Sequence, residues 1–277
     1  MKSFVHLHNH TQYSLFDGLT RIPEMVKKAK EEGMPAVAIT DHGNMYGLIH
    51  LYKAAKEQGI KPILGCEIYM TRGSRFEQKT KERLCHLILL AKNTAGYHNL
   101  VKIVSKGFVD GENNYHRPRV DFDLLEQYHE GLIALSACIE GQVQQDILNR
   151  NEAGARRTLE QFIRIFGKDD FYLEIQNHGL PEEKEIRRVF TEWSKEYGLK
   201  LVATNDFHYL NKEDAPAQEV KLCISTGSTL DDPAHFRFSN NEFYMKTREE
   251  MEKLFPDHIE ALDVTLEIAD KCNVEIS

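Results

Sequence analysis

The chain begins MKSFVHLHNHTQYSLFDG, with histidines at residues 6, 8 and 10. Alternate side chains of a strand share a face, so this spacing predicts His6, His8 and His10 on one side and Val5 and Leu7 on the other. Imidazoles gathered on one face either crowd for no gain or converge on something, such as a cation. The same residue types recur downstream, each at the edge of an apolar run. Asp41 and His42 follow Ala-Val-Ala-Ile-Thr, and Glu67 ends Pro-Ile-Leu-Gly-Cys-Glu. Cys138 follows Leu-Ile-Ala-Leu-Ser-Ala, and Asp206 and His208 close the run that begins Leu-Val-Ala-Thr-Asn. Taken singly, each is ordinarily a hydrogen-bonded packing residue. Together, imidazole, carboxylate and thiolate are the donor set of Zn²⁺ and similar metals, and their repeated placement predicts a polynuclear metal site.

These residues need a scaffold that brings distant segments together. Short apolar, β-branched runs predict strands at 4–8, 36–40, 62–69, 86–91, 132–137, 171–176 and 199–204. Helical spacing lies between them. Ile22, Met25, Val26 and Ala29 mark a helix over 20–32 that stops at Gly33, and a second, over 44–58, stops at Gly59. The stretch 140–166 reads as two helices broken near 149–151. From about residue 211 the alternation ceases, and Leu262, Leu266 and Ala269 predict a closing helix, so 211–277 is expected to flank a single domain spanning 1–277. Strand followed by helix, repeated, is the pattern of an α/β fold, either a βα-barrel or an open doubly wound sheet. No GxGxxG or Walker-type loop follows a strand, which disfavours a nucleotide-binding sheet. In a barrel the C-terminal strand ends converge on one mouth, where the residues above would meet. His86 opens its run rather than closing it and fits that rule less well.

Composition sets bounds. The 277 residues are 41% hydrophobic and 28% charged, enough for a sizeable core. A formal net charge of −8 argues against gripping nucleic acid by bulk charge but leaves room for a local basic strip. The loop 71–83, with Arg72 and Arg75, is such a strip, although a solvated loop is the commoner meaning of such a run. Tyr115-His116-Arg117-Pro118-Arg119 pairs an aromatic with guanidinium groups, as a single-strand contact would, with Arg119 the favoured contact. His178, at a turn before Gly179, is a further candidate to line the mouth, whereas His50, His98, His129, His235 and His258 are expected to be structural. Five cysteines without CxxC spacing suggest neither a disulfide framework nor a zinc ribbon and fit a reducing cytoplasm. Cys66, Cys85, Cys223 and Cys272 are expected to pack in the core. No stretch is long and apolar enough to span a bilayer, so no membrane partner is expected.

Several longer phrases carry a resemblance. His8-x-His10 with Thr-x-x-Ser-x-x-Asp17, Thr40-Asp41-His42-Gly43 and Gly65-x-Glu67 resemble the polymerase and histidinol phosphatase (PHP) family. HLHNHTQYSLFDG, MPAVAITDHGNMYGL, KPILGCEIYM, HLILLAKNTAGYHNL, GLIALSAC and LVATNDFHYL are similar, more narrowly, to the PHP domains of bacterial replicative DNA polymerases. That resemblance spans essentially the whole chain. It implies a distorted (β/α)7 TIM-like barrel with a metal cluster at the C-terminal strand ends. It also implies up to three divalent ions, zinc first, with manganese or iron as alternatives. By the same resemblance His8, His10, Glu67 and Asp206 would hold the first ion. Glu67 would bridge to a second held with His86 and Cys138, and Asp17, His42 and His208 would hold the third. His6 stands where many family members have Asp, and it and Asp41 would orient ligands by hydrogen bonding.

The activity implied is phosphoester hydrolysis. In a replicative polymerase this would be a proofreading 3′→5′ exonuclease, a metal-bridging hydroxide attacking the primer-end phosphodiester and His8, His10, Glu67 and Asp206 acting through the metals. Two readings compete with it: a small-molecule phosphatase of the histidinol-phosphatase kind, and a catalytically silent, metal-stabilised module of the polymerase. The expected partners are a DNA primer 3′ end, the remaining domains of the same chain and other replisome subunits. The chain ends before any polymerase palm or clamp-binding segment, so it is expected to be a fragment that does not synthesise DNA alone.

Overall fold

The computed structural model describes residues 3–77, 83–110 and 117–276. Six strands form one sheet in sequence order: β1 (Ala36–Ile39), β2 (Lys61–Met70), β3 (Cys85–Ala91), β4 (Leu132–Leu135), β5 (Phe171–Ile175) and β6 (Leu201–Ala203). Around them run α1 (Ile22–Glu31), α2 (Leu48–Gln58), α3 (Thr94–Val109), α4 (Phe122–Tyr128), α5 (Gln142–Leu148), α6 (Glu152–Phe166) and α7 (Pro181–Tyr197). The expected break near 149–151 separates α5 from α6, where Arg150 takes a positive φ and the Asn151 side chain caps α6 by accepting from Gly154 N. After β6 come α8 (Ala215–Thr226), α9 (Arg248–Leu254) and α10 (Ile259–Lys271). Among the described residues, no helix is long and apolar enough to cross a membrane.

Alternation along the strands builds two apolar layers. Ala36, Ala38, Ile63, Ile88, Leu90, Ile133, Leu135, Tyr172 and Val202 meet in an inner cluster. Their neighbours Val37, Ile39, Leu64, Leu87, Leu89, Ala134, Leu173 and Ala203 pack outward with the helices. Residues from the first and last strands share the inner cluster, so the sheet curls into half a barrel. Ile268, Ala269 and Cys272, on and just beyond α10, join the same cluster, and Lys61 Nζ donates to Ala269 O at 3.0 Å. Because Lys61 begins β2, α10 closes the end of the half-barrel where β2 starts and leaves the other end to Glu67.

Two features depart from the expected seven-fold strand–helix repeat. First, β3 runs antiparallel to both β2 and β4, whereas β1–β2, β4–β5 and β5–β6 are parallel. Second, residues 4–8 are not a strand. The segment makes single bonds instead: Ala38 N donates to His6 O at 3.1 Å, Thr40 N to Asn9 O at 3.1 Å, and His10 N to Phe207 O at 2.9 Å. The Asn9 side-chain amide donates to His6 O and Ala38 O, taking places a ladder would need, and the chain turns there. Val5 and Leu7 enter the inner cluster and Phe4 the outer one, but the alternation ends at His8.

Gly65 sets the approach of β3 to β2. It pairs with Leu90, and a Cβ at this position would lie 2.6 Å from Leu89 O, a backbone atom fixed in the sheet. Gly65→Ala is therefore expected to cost about 1–3 kcal/mol in urea unfolding. An unchanged midpoint would show that β3 can shift and that this contact does not fix the position of Glu67.

Candidate metal centre

The reversed strand explains how His86 reaches the site. Since β3 is antiparallel, its first residues lie beside the last residues of β2, with His86 opposite Tyr69 and Ile88 opposite Glu67. The exits of β1, β4 and β6 bring His42, Cys138, Asp206 and His208 to the same end, and the N-terminal segment brings His8, His10 and Asp17.

Glu67 is fully buried at the centre. Its Oε1 lies 2.5 Å from His42 Nδ1 and 3.1 Å from His86 Nδ1, and its Oε2 lies 2.8 Å from His8 Nε2 and 3.7 Å from His10 Nε2. Asp206 Oδ1 is 3.0 Å from His10 Nε2 and 3.2 Å from His8 Nε2. Asp17 Oδ2 is 3.2 Å from His42 Nε2 and 3.6 Å from His208 Nε2, and Cys138 Sγ is 3.6 Å from His86 Nδ1. The His10 ring stacks on His42 at 3.9 Å and on His208 at 4.3 Å. Three groups have donor atoms within 4.8 Å of one another: His8, His10 and Asp206; Glu67, His86 and Cys138; and His10, His42 and His208.

Hydrogen bonds within the cluster do not satisfy it. His10 Nε2, Asp17 Oδ1 and Asp206 Oδ1 are buried and find no hydrogen-bond partner among the described residues. His10 Nε2 and Asp206 Oδ1 are 3.0 Å apart without hydrogen-bond geometry. Unpaired polar atoms buried in this way are costly, and a divalent cation is the partner that this donor set suits.

Neighbouring groups fix which ring nitrogen faces the cluster. His8 Nδ1 donates to Glu174 Oε1 at 2.7 Å, turning Nε2 toward Glu67 and Asp206. Glu174 is itself held by Ala137 N at 3.1 Å, Gln176 Nε2 at 3.1 Å and Thr204 Oγ1. His10 Nδ1 donates to Ser14 Oγ at 3.0 Å, and Ser14 Oγ donates to Asp41 Oδ1 at 2.8 Å. His208 Nδ1 donates to the Asp206 carbonyl at 2.8 Å. Asp41 thus touches the site through Ser14, as well as holding Thr11 N and Oγ1. His6 does not share this arrangement. Its Nε2 donates to Lys246 O at 2.8 Å, and its ring packs edge-on against Phe4 and Phe207, so it orients none of the cluster residues. The turn at Asn9 is the reason, because it breaks the strand alternation that would have put the three N-terminal histidines on one face.

Two backbones are strained at the rim. Asp206 has φ +43° and Ala137, just before Cys138, φ +70°, in a region where a side chain is uncommon. Burial dominates the electrostatics, and neighbouring charge decides the outcome. It lowers His10 to about 3, with His42 and His208 adding repulsion. It would lower His8 and His42 too, but Asp206 and Glu174 around His8, and Asp17 and Glu67 around His42, raise both well above the ordinary histidine value. Burial would raise Glu67, Asp17 and Asp206, but the histidines beside them hold all three below the usual carboxylate range. The Cys138 thiol is pushed well up by burial, then by Asp206 and Glu67.

The expected substrate contacts are mostly engaged within the chain. Arg72 pairs with Asp146 at 3.0 Å, and Arg75 with Asp110 at 3.1 Å and Asp121 at 2.8 Å. Arg119 is buried, donating to Thr71 Oγ1 at 3.0 Å and to Glu77 O. His178 is buried, with Nδ1 2.6 Å from Glu183 and Nε2 2.8 Å from Asn205 O, so it does not line an open mouth. Arg117 is exposed and lies 5.0 Å over the Tyr69 ring, which contacts His42 and His86. Residues 78–82 of the basic loop, and Tyr115 and His116, lie outside the described residues. Sequence reasoning missed Glu174 and Ser14. A carboxylate within the apolar run Phe-Tyr-Leu-Glu-Ile was the available signal for Glu174; Ser14 offered none beyond lying in the N-terminal motif.

Comparison with known proteins gives the family. The PHP domain family model matches residues 6–178, well over half of the chain. The DNA polymerase III subunit alpha of Borreliella burgdorferi is 46% identical over 98% of this chain and 24% of its own length. That of Thermus aquaticus is 45% identical over 99% of this chain and 23% of its own. The chain therefore spans about a quarter of the length of the curated relatives it matches. Among solved structures, a candidate metal-dependent phosphoesterase from Bifidobacterium adolescentis aligns with a TM-score of 0.48 at 14% identity, over 75% of this chain and 88% of that one. Asp206 and His208 lie beyond the span matched by the family model, and the fold brings them to the same cluster as His8, His10 and Glu67. The chain belongs to the PHP domain family.

Proposed function

We propose that this chain is the metal-dependent phosphoesterase domain of a replicative DNA polymerase and that it removes nucleotides from a primer 3′ end as a 3′→5′ exonuclease. The observation that carries this reading is the buried cluster around Glu67, whose orphaned His10, Asp17 and Asp206 atoms call for cations. We assign His8, His10, Glu67 and Asp206 to a first ion, Glu67, His86 and Cys138 to a second, and Asp17, His42 and His208 to a third, with His10 Nε2 close to the last set. Imidazole and thiolate donors favour zinc, with manganese or iron as alternatives. Divalent ions bound there supply Lewis acidity, a water of lowered pKa and countercharge for the phosphate.

The chain's own groups do the positioning. Glu174 and the Ser14–Asp41 pair hold His8 and His10 in the tautomers that present Nε2. Arg117 lies at the mouth over Tyr69, where a guanidinium can grip a phosphate oxygen. No protein nucleophile is required: the half-buried Cys138 thiol has its pKa pushed up, and Ser14 is committed to Asp41. The polymerase relatives favour a polynucleotide over a small phosphomonoester. One observation favours a silent module instead: the chain is net acidic, and Arg72 and Arg75 are already neutralised.

Three outcomes test the proposal. A 5′-labelled primer with a 3′ mismatch should shorten by single nucleotides when Zn²⁺ or Mn²⁺ is restored to chelator-stripped protein. Asp206→Asn should slow this by roughly 100-fold or more; shortening that survives the substitution, or none at all, overturns the exonuclease reading. Glu174→Gln, which leaves every proposed ligand in place, should weaken metal affinity by about 10–100-fold in competition with a chromogenic chelator. Finally, His8 and His42 hold protons at neutral pH in the metal-free protein because their pKa values are raised, and Cys138 does likewise. Metal binding must expel these protons, so apparent affinity should rise with pH above neutrality, and calorimetry in buffers of different ionisation enthalpy should show proton release. Binding heats independent of buffer would contradict this assignment.

A further inference from the structure

A file of aromatic rings leads from the cluster to the surface. Phe238 meets the His208 ring edge-on at 4.9 Å, Phe236 lies 6.4 Å from Phe238, and Phe16 lies 6.3 Å from Phe236. The inner end is rigidly backed. Phe238 packs on Phe243 at 4.6 Å, and Phe243 stacks at 4.0 Å on His178, which Glu183 and the Asn205 carbonyl pin in place. The outer end is open, with Phe236 51% and Phe16 40% exposed. Phe16 belongs to the turn between Ser14 and Asp17, both part of the centre, and Ser225 Oγ of α8 donates to its carbonyl at 2.7 Å. Arg237, between the two phenylalanines in sequence, is exposed and has no ion-pair or hydrogen-bond partner among the described residues.

We propose that Phe236, with Phe238 and Phe16, is a stacking platform for the unpaired 3′-terminal bases of a single strand whose phosphodiester reaches the cluster at His208. This rests on the exonuclease reading and names the form of its substrate. Every base offers a π-face, so such a platform holds any sequence, and a terminus frayed by a mismatch presents the unstacked bases it needs. Arg237 supplies a cation beside the rings in a chain whose net charge is otherwise unfavourable to DNA. Half-exposed rings continuous with the centre favour a nucleobase over an apolar segment of a longer polymerase chain, which would be the rival occupant.

The test is binding of an oligothymidylate ending in 3′ 2-aminopurine, its terminal linkages phosphorothioate so that the strand survives, to the metal-loaded protein. Stacking should quench the 2-aminopurine fluorescence. Phe236→Leu, which keeps apolar bulk without a ring, should weaken binding by about tenfold and relieve the quench, whereas Phe236→Trp should keep both. A leucine variant that binds and quenches like the parent overturns the platform and is the result an apolar docking surface would give. Failure of the parent protein to bind or quench overturns it equally. Primer shortening is read separately: quenching without shortening removes the exonuclease reading and leaves the platform, and shortening without quenching does the reverse.

Discussion

A fully buried carboxylate at the end of β2 is the constraint on which the rest of the site depends. Glu67 has no access to water, so its charge must be met by what surrounds it. Four imidazoles do so, from His8, His10, His42 and His86, and they come from the N-terminal segment, the exit of β1 and the start of β3. The reversal of β3 is what allows the last of these. Run parallel, β3 would carry His86 to the far end of the half-barrel, beside α10. Gly65 lets the same strand approach closely enough for Ile88 and His86 to flank Glu67 and Tyr69.

Around that carboxylate the protein fixes nitrogen orientation more tightly than it fixes charge. Glu174, Ser14 and the Asp206 carbonyl each accept the Nδ1–H of one histidine and so turn its Nε2 inward. Without cations, the cluster balances itself with raised histidines against depressed carboxylates, an arrangement that leaves three buried atoms without partners. The left-handed backbones at Ala137 and Asp206 belong to the same economy: strain there sets the directions in which Cys138 and Asp206 leave their strands. Binding of a cation there would be coupled to folding, since the donors come from segments as far apart as residues 8 and 208 and meet only in the native state.

The rim divides by chemistry. On one side Arg72 and Arg75, between β2 and β3, are paired with Asp146, Asp110 and Asp121, and Arg117 lies over Tyr69. On the other side, aromatic rings from the 14–17 turn and the segment after α8 step outward from His208. That asymmetry suits a substrate with one charged and one flat, apolar part, as a nucleotide has.

The sequence alone determined the residue types of the centre, because metal-type donors at the edges of apolar strands are conspicuous wherever they occur. It also determined most of the elements, including the break between α5 and α6, since periodicity and caps act locally. It did not determine the direction of β3, because a strand's apolar pattern reads alike in both senses. Nor did it reveal that His6 would part from His8, since the turn depends on Asn9 finding the carbonyl of Ala38 across the fold. The internal partners of Arg72, Arg75 and Arg119 were not legible, because they lie far away in sequence or on the backbone. Glu174 escaped notice for the same reason, since it meets His8 across 166 residues. Which nitrogen faces the cluster is decided for His10 by a hydrogen bond four residues away and for His8 by one between segments 166 residues apart, which exists only once the chain has curled.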